Sequence, residues 1–113
     1  MYNYKAKVLE WIDGDTLWVE IDLGFYVHTR QKIRLARIDA PELHNTVAYR
    51  ERQAKHARAV AKKFCPEGAT VIITTKKQNR DQYARYIAEV TYNDTNLSDY
   101  LVSKDVAKIW GEE

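Results

Sequence analysis

Asp15, Asp39 and Glu42 supply carboxylates, and Arg34 and Arg85 supply guanidinium groups, in a chain of 113 residues. Gathered at one place, these types make a site for phosphodiester hydrolysis. Hard carboxylate oxygens suit Ca²⁺ or Mg²⁺ rather than zinc. A guanidinium fork clamps two phosphate oxygens at once, which lysine cannot copy. The metal and the arginines neutralise charge growing on phosphorus while a carboxylate takes a proton from water. Spacing alone leaves a blander alternative open, because acids at strand ends commonly serve as turn residues. The choice is sharpest in "WIDGDTLW", Trp11 to Trp18. Asp-Gly is a hairpin signal, since a tight primed turn needs positive φ. That turn has no need of Asp15, which either tidies it or holds something.

The elements that would position these groups follow from periodicity. Residues 4–12 are strand-like. After the Asp-Gly turn, Leu17, Val19 and Ile21 alternate with Trp18, Glu20 and Asp22 as in a half-buried strand. A turn around Gly24 leads through "FYVHTR" to a third strand, Lys32 to Ile38, ended by Pro41. A helix capped by Asn45 or Thr46 places Ala54, Ala57, Val60, Ala61 and Phe64 on one face, and Pro66 and Gly68 stop it. Strands at 70–75 and 85–92, a short helix from Asn96 to about Lys104, and "VAKIW" complete the chain. The order β-β-β-α-β-β-α predicts an α+β fold, mainly β: a five-stranded OB-type barrel with two packed helices, in one domain spanning 1–113. Asp15 then opens the second strand and Asp39 ends the third, with Glu42 just beyond. If those strands are neighbours, the three carboxylates converge on one rim. Arg34 lies inside the third strand, and Arg85 opens the fifth.

The composition, 45% hydrophobic and 30% charged, is that of a globular chain. Net charge is only +2, but its distribution is uneven. Between Arg50 and Lys63 the one acid is Glu51, and "KKQNRDQYAR" adds Lys76, Lys77, Arg80 and Arg85. Basic surface beside a small acidic cluster suits a polyanion bound through a metal, although ordinary solvated helix and loop surfaces read the same way. No run approaches the roughly 18 apolar residues of a membrane span. "MYNYKAKVLEW" lacks the pattern of a signal peptide, so the expected location is cytoplasmic, or secreted if a leader has been removed. The single Cys65 excludes an internal disulfide and a cysteine-based zinc site, and reads as a partly buried thiol near a helix end. His28, His44 and His56 lack metal-ligand spacing, with His44 close to Glu42. Trp11, Trp18 and Trp110 read as core or barrel-edge residues.

Three motifs in order, "IDGDT" (12–16), "RLARIDAPE" (34–42) and "DQYARYIAEV" (81–90), resemble the staphylococcal nuclease (thermonuclease) family from about Lys5 to Trp110. The resemblance implies the same OB-type barrel and a monomeric, Ca²⁺-dependent nuclease whose substrates are DNA and RNA. By motif position, Asp15, Asp39 and the Ala40 backbone carbonyl would be calcium ligands. Glu42 would be the general base, and Arg34 and Arg85 would bind and stabilise the phosphate. Water would attack phosphorus, the 5′-oxygen would leave, and products would carry 3′-phosphates. Beside that site, Tyr83 could stack on a base or sugar, and Lys76, Lys77 and Arg80 would guide a strand inward.

The chain also departs from the family pattern. Ala40 stands where threonine is common, which keeps a carbonyl but loses a hydroxyl. Ala84 replaces a glycine before the second arginine, and Asp105 replaces one at the exit of the second helix, where a left-handed cap is expected at some cost. The sequence ends at Glu113, so the family's third helix and its nucleotide-seating tyrosines have no counterpart, and weaker mononucleotide binding is expected. Two rival readings are a nuclease-like module that only binds nucleic acid or a protein partner, and an OB-type single-strand binder.

Overall fold

The computed structural model of the chain describes residues 2–41, 48–75 and 86–109, with side chains at all of these except 48–50. Among them run β1 (Tyr2–Asp13), β2 (Thr16–Asp22), β3 (His28–Leu35), β4 (Ile38–Asp39), α1 (Ala48–Phe64), β5 (Thr70–Thr75), β6 (Tyr86–Tyr92), β7 (Thr95–Asn96), α2 (Leu97–Ser103) and β8 (Lys108–Ile109). The main sheet has the order β3-β2-β1-β5-β6-β7 and closes on itself through a parallel β3–β6 pairing. The result is the expected closed five-stranded barrel with two helices. Closure removes the edges that five open strands would expose.

The core follows the strand period, with one correction by geometry. On β2, Leu17, Val19 and Ile21 are buried, and on β3 Ile33 and Leu35. On β1 the buried set switches parity, from Ala6 and Val8 to Trp11 and Asp13. Register shifts against β2 between Val8 and Glu10 and between Trp11 and Asp13 accompany the switch. A bulge adds a residue to one strand, bends it and turns the next side chains to the other face. The buried Trp11 then donates its ring N–H to the carbonyl of Cys65, 2.8 Å away, tying the exit of α1 to the barrel.

Helix α1 packs by its small residues. Ala54, Ala57 and Ala61 are buried, whereas Val60 and Phe64 are only partly so. Phe64 stacks on Tyr100 of α2 at 3.8 Å between centroids and meets Tyr92 edge-on at 5.6 Å. Helix α2 starts at Asn96, whose side chain accepts from the Asp99 N–H, and buries Leu97 and Leu101. Its exit carries Asp105 at φ 63°, the left-handed conformation expected there.

Two local expectations are revised. The third strand is His28–Leu35, not Lys32 to Ile38. The chain turns at Ala36 and Arg37, and Ile38–Asp39 forms a separate strand paired with Lys108–Ile109, the middle of "VAKIW". The break is enforced from outside the strand. Arg37 sits at φ 71°, its guanidinium held by Glu89, Asn96 and Asp99, while the Ser98 hydroxyl donates to the Ala36 carbonyl. The fifth barrel strand, Tyr86–Tyr92, agrees with the expected 85–92 as far as it is described, residue 85 lying outside the described residues. Finally, Gly14 is absent from the left-handed residues, so its role is not a primed turn. A Cβ there would stand 2.8 Å from the Cβ of Ala57 and 3.2 Å from that of Ala40. Glycine lets α1 and the segment after β4 close on the turn.

Candidate active site

The strand order places the β1–β2 turn beside the end of β3 at one barrel rim. The Leu35 N–H donates to the Asp15 carbonyl at 2.8 Å, locking the turn to that strand. The Asp15 side chain points inward and is 3% exposed. One of its oxygens accepts from the Thr16 hydroxyl and the other from the Ala40 N–H, each at 3.0 Å. Asp15 is therefore held from two segments and does more than tidy a turn.

Arg34, on the β3 face opposite to Ile33 and Leu35, is 9% exposed. Its Nη2 stands 3.2 Å from Asp39 Oδ1, a hydrogen-bonded ion pair, and 3.8 Å from Asp15 Oδ2. An arginine within a small sheet thus has its reason: it lies between two carboxylates. The carboxylates differ in setting, since Asp15 is buried and the Asp39 side chain faces solvent. Burial raises the Asp15 pKa above its ordinary value. The Ala40 N–H, the Arg34 charge and the Thr16 hydroxyl oppose that rise, and the Asp39 charge adds to it.

Asp15, Arg34, Asp39 and Ala40 are therefore brought together. Glu42, Arg85, Tyr83, Lys76, Lys77 and Arg80 lie outside the described residues, as do Asn45, Thr46, His44, Ala84 and Trp110. The described chain leaves the site at Pro41, two residues past Asp39. At the start of β6, Tyr86 pairs with Ile33, the neighbour of Arg34.

Some neighbours escaped the sequence reading. Asp39, Ala40 and Pro41 line an open groove whose other wall includes Arg52, Gln53 and His56 of α1, with Asp105 and Lys108 beyond. By sequence His56 is a histidine without metal-ligand spacing, and Arg52 is one of the basic residues between Arg50 and Lys63. Their i, i+4 spacing puts both on one helix face, a signal that was available. Asp13, read as a turn residue, is buried with Asp15.

As donors, Asp15, Asp39 and the Ala40 carbonyl make a hard oxygen set of the kind Ca²⁺ takes. An ionised carboxylate has about four acceptor positions, so each Asp15 oxygen keeps capacity beyond its one hydrogen bond. The donor set fits a calcium ion in kind. Among the described residues, no group of three or more His, Cys, Asp or Glu side chains is placed to hold a metal.

Comparison with known proteins bears on the family of the chain. An uncharacterized protein of the archaeon Methanocaldococcus jannaschii is 25% identical over 111 residues, a match taking in 83% of this chain and 51% of the relative. The chain thus spans about half the length of the curated relative it matches. A family model described as staphylococcal nuclease homologue matches residues 32–112, which include Arg34, Asp39 and Glu42. Most of the chain is matched, and it belongs to the staphylococcal nuclease homologue family.

Proposed function

We propose that this chain is a Ca²⁺-dependent nuclease that hydrolyses phosphodiester bonds of DNA and RNA, breaking the 5′-O–P bond and leaving 3′-phosphate ends. The observation that carries the reading is the placement of Arg34 between Asp15 and Asp39, 3.8 and 3.2 Å away, at the rim where the Ala40 N–H also points. A structural ion pair needs one carboxylate. A second, buried and desolvated beside the same guanidinium, favours a site built for a further cation and a phosphate.

Asp15, Asp39 and the Ala40 carbonyl would hold the calcium ion, which when bound supplies Lewis-acid stabilisation of negative charge on the phosphoryl oxygens. Arg34 is preorganised, held by Asp39, and presents guanidinium N–H groups to a phosphate without reorganising. Asp15 orients the segment after β4 by accepting from the Ala40 N–H, which fixes where the chain leaves toward Glu42. In this reading Glu42 takes the proton from the attacking water and Arg85 is the second phosphate clamp. Lys76, Lys77, Arg80 and Tyr83 guide and stack the strand.

Single-turnover kinetics test the roles. Glu42→Ala is expected to lower cleavage by about 10²–10⁴-fold, the usual contribution of general-base catalysis, while oligonucleotide affinity stays close to wild type. Unchanged cleavage would remove Glu42 from the role of base. Arg85→Ala is expected to lower kcat more than affinity, and a pure loss of affinity would reassign it to positioning.

A further inference from the structure

The hairpin joining β2 to β3 ends in an unusual tip. Phe25 and Tyr26 are 97% and 99% exposed, with Leu23 and Val27 exposed beside them. Gly24, Phe25 and Tyr26 all have left-handed backbones, at φ 82°, 55° and 61°. Glycine takes that conformation freely, but bulky side chains do so at a cost. The tip is nonetheless closed, since Leu23 N–H donates to Val27 O at 2.8 Å and Val27 N–H to Gly24 O at 2.9 Å. Two rings that contribute nothing to the core are thus projected into solvent by a hydrogen-bonded turn.

The strand leading back from the tip carries a matching feature. The β2–β3 register runs without a shift from Asp22↔His28 to Thr16↔Arg34. Ile33 and Leu35 point into the barrel, so His28, Arg30, Lys32 and Arg34 share the outer face. Alternate residues on a strand stand about 6.6 Å apart, close to the repeat of phosphates in an extended single strand. The row starts at the candidate site and ends at the aromatic tip, roughly 20 Å away. Trp18 lies beside it, with the Lys32 ammonium 5.5 Å from its ring centroid. Glu20, 3.7 Å from Arg30 and 3.9 Å from His28, and Asp22, opposite His28, stand on the same face.

We propose that the outer face of the β2–β3 ribbon is a track for single-stranded nucleic acid, with His28, Arg30 and Lys32 following its phosphates, and Trp18, Phe25 and Tyr26 stacking on its bases. The inference rests on the nuclease reading of the site, because it names the path by which a strand reaches Arg34. Continuity and stacking choose the occupant: the row joins the phosphate-binding candidate at Arg34 without a shift in register, Arg30 and Lys32 offer two cations beside the acids Glu20 and Asp22 of the same face, and the aromatic tip complements bases along the same line.

The test measures affinity for fluorescein-labelled oligothymidylates of about 4 and about 12 nucleotides, within the usual OB-fold range, in the presence of a calcium chelator. The variant is Phe25→Gly with Tyr26→Gly, which suits the left-handed backbone, so thermal stability is expected to hold or rise. The longer oligonucleotide is expected to lose at least about tenfold in affinity, given the usual strength of base–aromatic stacking. The shorter one is expected to lose much less. Lys32→Ala is expected to lower the salt slope by about 1. Equal affinity of both proteins for the longer oligonucleotide overturns the track. So does tip-dependent binding to phosphatidylserine vesicles, or tip-dependent dimerisation, with oligonucleotide affinity unchanged. Chelator separates the two claims. Tip-dependent binding by a protein that never cuts leaves the track standing and removes the nuclease, whereas cutting with tip-independent binding does the reverse.

Discussion

Burial lifts the Asp15 carboxyl above its ordinary 3.8, so the native chain binds that proton more tightly than the unfolded chain does. The sign of the pH dependence follows. Where the native state holds more protons, stability falls as pH rises, here from the unfolded value through the raised native one. At neutral pH an ionised Asp15 therefore costs stability. Asp15→Asn, which removes the charge, keeps one acceptor for the Ala40 N–H and donates to a Thr16 hydroxyl that can turn to accept, is expected to stabilise the calcium-free protein by about 0.5–2 kcal/mol at pH 7. The gain should vanish at acid pH, where Asp15 is protonated in both states. Urea denaturation at the two pH values checks this, and calcium should raise the midpoint of wild type but not of the variant. Cys65 behaves more simply. Burial pushes its thiol up to about 11, and it has no solvent exposure, so a disulfide reagent should modify it only as fast as the chain unfolds. At this scale residue types were informative. Asp15, Arg34 and Asp39 could be selected together because an arginine inside a small sheet needs a reason, whereas acids at strand ends alone commonly make turns. Gly14 was misread because left-handed preference is a local signal, whereas room for Ala57 is a tertiary fact.

Two small contacts between elements place the site. The first is the approach of α1 to the Gly14 turn. Gly14→Ala drives a methyl group to within 2.8 Å of the Ala57 Cβ, and the backbone of Ala57 is 3.3 Å away, so little can yield. The expected cost is about 1–3 kcal/mol, the range for overpacking, and the change should also loosen the Ala40 N–H from Asp15. A double-mutant cycle with Ala57→Gly should recover part of the loss, and strict additivity would mean the two residues do not meet. The second contact is the hub around Arg37, which pairs with Glu89 at 2.7 Å and Asp99 at 3.1 Å. The guanidinium is partly solvated, so Arg37→Ala is expected to cost only about 1 kcal/mol, and less at high salt. Its carboxylate partners lie far along the chain, on β6 and α2. That distance explains why the third strand looked continuous to Ile38: no glycine or proline interrupts the sequence between Lys32 and Pro41, and the force making the break comes from elsewhere.

At the level of the whole molecule, barrel closure converts chain order into a site. Asp15 and Asp39 converge because β1, β2 and β3 are sequential antiparallel neighbours, and the parallel β3–β6 pairing brings the chain after Tyr86 against Arg34's strand. The architecture was legible because each strand has its own period and each turn its own breakers. The β1 bulges were not legible, since they answer to the curvature of a closed sheet rather than to local propensity. The short β4–β8 pairing was also missed, because two-residue strands leave no periodic signal. No helix among the described residues is long and apolar enough to cross a membrane.

The most direct test of the central claim is cleavage of single-stranded DNA and of RNA with calcium, with magnesium and with chelator, followed by analysis of the new ends. Cutting that requires calcium, leaves 3′-phosphates and falls by orders of magnitude in Arg34→Ala is the expected result. Intact substrate under every metal, with oligonucleotide binding retained, would contradict it and make the Asp15–Arg34–Asp39 arrangement part of a binding module.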